Sequence, residues 1–143
     1  MTRVAVGIGA RPGVRTDAVR ALLERVLAEH DLDPADAVFA TIAARAGEPG
    51  LRAAVRAVAG GRIARSDPAA LITWSAVDLA AEPVPHPSAR VAAAVRTPAV
   101  AEAAALRTAR TFPGATAVEL VVPKTVGDGV TVAVARPAAV ERS

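Results

Sequence analysis

The chemistry-bearing residues of this chain are few, and they sit at turns. Gly7, Gly9 and Gly13 form a G-x-G-x-x-x-G run with Arg11 inside it. Glycines there permit close backbone approach and positive φ, and exposed N–H groups can hold an anion. The spacing is not the dinucleotide fingerprint, no acid stands near Thr41-Ile42-Ala43 to hold a ribose hydroxyl, and the phosphate-loop Lys-Ser/Thr pair is missing. The run reads either as a structural turn or as the edge of an anion site, where Arg11 would grip a carboxylate bidentately. Glu48 precedes Pro49 at a helix start, either as an acid favoured by the helix dipole or as a proton-transfer group. Glu102 lies in an Ala-rich helix and, if buried, needs a partner. Lys124 is the one lysine of the chain and follows Pro123; it is a solvated side chain or a point charge facing an anionic ligand.

Other candidates carry less. His86 in Pro85-His86-Pro87-Ser88 reads as a surface or capping residue, and Ser88, with no His-Asp set, as a helix-start hydrogen-bonding group. Ser75 reads as a helix cap, and Thr97-Pro98 as a cap followed by proline at the first helical position. There is no cysteine, which removes disulfides, thiolate metal sites and thiol catalysis. No metal site and no cofactor is expected.

These residues need elements to position them. Arg3–Ala10 reads as a strand with Val4, Val6 and Ile8 on one face, followed by a helix capped by Thr16 or Asp17. That helix carries Ala18, Val19, Leu22, Leu23, Val26 and Leu27 at helical spacing. After an Asp33-Pro34 turn come a strand over Ala37–Ala43 and a helix using Leu51, Val55 and Val58, a right-handed parallel unit. Leu71–Trp74 is a short third strand, with a helical turn capped by Ser75 reaching Leu79. A helix then starts at His86-Pro87, and a very Ala-rich one runs from Thr97 to about Ala109. Thr116–Val122 alternates with Val118, Leu120 and Val122 on one face, and Gly127-Asp128-Gly129 turns it into Val130–Ala135 as an antiparallel hairpin. The pattern predicts a single three-layer α/β/α domain over residues 1–143, its core at 3–136. Its mixed sheet of about five strands has a parallel N-terminal βαβ.

Composition sets bounds. The 143 residues are 52% hydrophobic and 22% charged, which argues for a packed core. Aromatics are 2%, too few for base stacking, so no nucleic-acid partner is expected. No apolar run reaches the ~18 residues of a membrane span, and the first residues do not read as a signal peptide, so a cytoplasmic protein without a membrane partner is expected. The net charge of +3 comes almost wholly from arginine, which leaves guanidiniums to meet an anion.

The order of pieces resembles one family. Gly-Ile-Gly-x-Arg-x-Gly, Thr-Ile…Glu-Pro-Gly-Leu, Pro-His-Pro-Ser, Thr-Pro-Ala-Val-Ala-Glu-Ala-Ala-Ala-Leu and Val-Val-Pro-Lys together resemble the CobE/CbiG C-terminal domain family of cobalamin biosynthesis. The family often has Cys where Ala10 stands, Lys at Arg45, Asn at His86 and Gly at Arg96, and the stretch Gly60–Ala70 looks longer than usual. The resemblance implies a role in corrin-ring assembly, with a tetrapyrrole intermediate as ligand and another corrin-pathway enzyme as a candidate partner. Arg11, Arg45, Lys124 and the Gly7, Gly9 and Gly13 amides would then hold carboxylates, with Thr41, Ser75, Ser88, Thr97 and Glu102 shaping the site. CbiG-type proteins open the lactone of cobalt-precorrin-5A and release acetaldehyde. For such a reaction here the general base would be Glu48 or Glu102.

Overall fold

The computed structural model describes residues 3–59, 71–82 and 100–138. Ser88, Thr97, His86, Arg96, the expected helix after His86 and the Gly60–Ala70 stretch lie outside the described residues. The chain forms β1 (Val4–Ala10), α1 (Thr16–Glu29), β2 (Ala37–Ile42), α2 (Pro49–Ala59), β3 (Leu71–Trp74) and α3 (Ala76–Ala80). These are followed by α4 (Val100–Arg110), β4 (Val118–Val126) and β5 (Val130–Pro137). Single 3-10 turns at Pro34–Asp36 and Ala43–Arg45 flank β2.

The five strands form one sheet in the order β3-β2-β1-β5-β4. β1, β2 and β3 are parallel, while β5 runs antiparallel to both β1 and β4. Two right-handed crossovers stepping in one direction lay their helices on one face of a sheet, and α1 and α2 pack together there. The chain then passes to the other face through α3 and α4, runs to the far edge as β4, and returns as β5 against β1. The α/β class and the mixed five-stranded sheet thus agree with the expected architecture.

The two faces differ in side-chain size. On the α1/α2 side Val4, Val6, Ile8, Phe39, Val132 and Val134 meet Val19, Leu22, Leu23, Val26, Leu51 and Val55. On the α4 side the sheet offers Ala5, Ala133, Ala135 and Ala40, and the helix offers Ala101, Ala104, Ala105 and Ala109. Small residues on both surfaces let the layers approach closely. At Gly7 a Cβ would run into the Ala101 carbonyl and stand 2.6 Å from the Ala105 nitrogen. Here only glycine allows α4 to rest its backbone on β1.

Two local expectations change. Arg15, with no side-chain cap hydrogen bond, occupies the N-cap of α1, so Thr16 is the first helical residue and Asp17 lies inside the first turn. β4 runs past Val122 to Val126, with register shifts between Leu120 and Val122 and between Val122 and Thr125. A bulge transfers side chains from one face to the other. Val118 and Leu120 therefore pack on the alanine side, while Val122 is buried on the α1/α2 side. Pro123 is accommodated because β4 is an edge strand whose outer side needs no amide donor. Among the described residues, no helix is long and apolar enough to cross a membrane.

Candidate functional site

In open α/β sheets, ligands gather beyond the carboxyl ends of the strands where the chain changes direction. Here β1 is that point, with parallel neighbours to one side and the antiparallel β5 on the other. A groove of about 900 Å³ opens there. Its wall is built from Gly9 and Ala10 at the end of β1 with Arg11 and Pro12 beyond it, from Ile42 at the end of β2 with Ala44 and Arg45 beyond it, from Val100 at the start of α4, and from the β4–β5 hairpin between Val126 and Thr131.

The turn bearing Arg11 is tied from three directions. The Arg11 N–H donates to the Gly129 carbonyl at 3.0 Å, which continues the β1–β5 ladder into the turn. Arg45 Nε donates to the Ala10 carbonyl at 2.9 Å and its Nη1 to Ala44 at 3.3 Å. The Gly13 N–H donates to Glu48 Oε1 at 2.8 Å, and Gly13 has the positive φ of +76° that closes the turn. The Arg11 guanidinium lies over Gly129, with its Nε 3.3 Å from the place a Cβ would occupy. Among the described residues Arg11 forms no ion pair, and no carboxylate lines the groove. The lining is otherwise aliphatic, and Val126 is 63% exposed at its mouth. The result is an apolar surface with two guanidiniums and, among the described residues, no counter-charge on its wall. That suits a ligand with a broad apolar body and acidic substituents.

The expected residues divide. Gly9, Arg11 and Arg45 come together in the groove. Gly13 lies next to it, its amide already engaged by Glu48. Gly7 is covered by α4 and presents no open anion site. Thr41 is fully buried and donates its hydroxyl to the Ile8 carbonyl at 2.7 Å. Ser75 caps α3 by accepting the Asp78 N–H at 3.0 Å. Glu102, 6% exposed, has found its partner: Oε2 accepts the Lys124 backbone N–H at 2.9 Å, beside the β4 irregularity. Lys124 itself is exposed and stands within β4, two residues before Val126. Neither Glu48 nor Glu102 lines the groove. Among the described residues no cluster of His, Cys, Asp and Glu is placed to hold a metal ion.

Sequence reasoning did not place Val100, Val126, Gly129 or Thr131 at the site. For Val126, Gly129 and Thr131 the signal was the Gly127-Asp128-Gly129 turn, whose hairpin was legible, while Val100 opens α4. Nothing in the hairpin tells that its second strand inserts beside β1.

Comparisons with known proteins bear on what this arrangement serves. The family described as "Cobalamin synthesis G C-terminus" matches residues 4–135. A solved structure of CobE, described as a protein from the cobalamin (vitamin B12) biosynthetic pathway, is similar at 32% identity and a TM-score of 0.74, covering 99% of this chain and 94% of that one. The cobalamin biosynthesis protein chiG from Agrobacterium tumefaciens is similar at 24% identity and a TM-score of 0.65, covering 95% of this chain and 99% of that one, a likeness of fold. No curated protein matches the chain.

Proposed function

The chain belongs to the cobalamin synthesis G C-terminus family, and from that premise we propose that it binds a tetrapyrrole intermediate of corrin assembly as a carrier or accessory factor. The observation that carries this reading is the aliphatic groove with Arg11 and Arg45 on its wall and no carboxylate among its lining residues. Corrinoid intermediates pair a large apolar ring with peripheral acetate and propionate groups. The groove offers aliphatic surface to the first and guanidiniums to the second. A carrier releases its cargo to an enzyme of the same pathway, which makes such an enzyme the expected protein partner.

The hydrolytic reading has less support. Glu48 and Glu102 each accept a backbone amide, and neither belongs to the groove wall. A general base must reach the water that it activates.

Titration of the purified protein with hydrogenobyrinic acid tests the binding. The expected result is a shift in the visible spectrum of the pigment, with Arg11→Ala weakening binding by about tenfold or more, as loss of a charge-assisted pair implies. No spectral or mobility change with any precorrin or with hydrogenobyrinic acid overturns the proposal.

A further inference from the structure

We infer that the groove is selective for the ionisation of its ligand's acid groups: it holds free carboxylates and discriminates against the same groups once they are carboxamides. This rests on the binding role proposed above and adds to it the feature of the ligand that is read. Three observations point the same way.

First, the charged side chains on the wall are donors only. Arginine has no acceptor, so the two oxygens of a charged carboxylate satisfy its fork, while a neutral carboxamide offers one accepting oxygen and turns a donor NH2 to the second position. Second, among the described residues no carboxylate pairs with that charge, Asp128 of the β4–β5 turn included. The nearest glutamate in the turn network, Glu48, is turned to the Gly13 amide and makes no ion pair with Arg11 or Arg45. Third, the two arginines are held differently. Arg45 gives Nε and Nη1 to main-chain carbonyls and so keeps one edge for a ligand. Among the described residues the Arg11 side chain forms no hydrogen bond, so none of its donors is spent on the protein and they remain for a carboxylate. The turn beneath it is fixed by the Gly129, Ala10 and Glu48 contacts, so the fork has a defined base. Arg11 is the reader and Arg45 is the strut with a spare donor.

Two probes decide the matter: hydrogenobyrinic acid, and the same compound with its carboxylates chemically converted to carboxamides. Each is titrated against the wild-type protein and against Arg11→Gln, whose fold is checked by its thermal transition. Wild type is expected to bind the acid at least about tenfold tighter than the amide, with the gap narrowing as salt is raised. In Arg11→Gln the gap is expected to shrink several-fold while the thermal transition stays in place. Equal affinity for acid and amide overturns the selectivity and leaves the binding role standing. An undiminished gap in Arg11→Gln overturns the assignment to Arg11. Binding of neither probe removes the selectivity together with the function on which it rests.

Discussion

A single missing methyl decides how closely α4 can lie on the sheet. A Cβ at Gly7 meets helix backbone, which has no rotamer to yield, so Gly7→Ala forces the helix off β1. Overpacking of this kind costs ~1–3 kcal/mol, and we expect the upper end here because both colliding partners are main chain. Gly47→Ala is the control: nothing lies within 4 Å of its Cβ, and the substitution is expected to be neutral or slightly stabilising. Urea titration of the two variants checks both. Gly7 also shows where residue-level reading ended. Its place in a glycine run pointed to an anion site, and of that run's glycines only Gly9 belongs to the groove wall. Whether a glycine faces a ligand or a helix depends on the layer above it, and that layer comes from a segment roughly a hundred residues away. Thr41 is similar. It reads as a polar side chain at a strand end, yet its register partner is Ile8, and its hydroxyl is spent on that carbonyl.

At the scale of elements, apolar periodicity was a reliable guide wherever a whole stripe is buried. The five buried positions of α1 and the six of α2 include all but Ala18 of those expected. β4 is the element whose extent differed most. Pro123-Lys124 reads as the end of a strand, and it continues because Glu102 reaches across from α4 to take the Lys124 amide. Removing that acceptor leaves a half-buried N–H unpaired, so Glu102→Leu is expected to cost about 1–3 kcal/mol. Glu102→Gln keeps an acceptor and is expected to recover most of it, as measured by denaturation and by amide exchange at Lys124. A second tie links α3 to α4. Glu82, with a side chain only 2% exposed, accepts from Arg110 Nε at 2.9 Å and Nη2 at 2.8 Å. Arg110→Ala leaves that carboxylate buried without its closest cation. Full burial of both partners would make the cost ~3–5 kcal/mol. Arg110 is 44% exposed and Arg107 stands 4.0 Å away, so about 1–3 kcal/mol is expected instead in a urea titration.

For the molecule as a whole, the site is a product of strand order. The groove needs the carboxyl ends of β1 and β2, the first residue of α4 and the β4–β5 turn at one place. The elements other than β4 were legible one by one, whereas the insertion of β5 between β1 and β4 was not, because alternation records which face a strand buries and not which neighbour it takes. The same insertion governs how the chain reaches its native state. β1 has β2 on one side and β5 on the other, and Ala5 pairs with Ala135. During synthesis β1 stays half-paired until β5, more than a hundred residues later, has emerged. Pairings of such long sequence separation slow folding, since loop closure is paid for before any contact rewards it. We expect emergence of β5, rather than completion of the N-terminal βαβ, to mark the onset of protease resistance during synthesis. A chain stopped before Val130 would remain open along its central strand, presenting there the edge that the finished protein keeps covered.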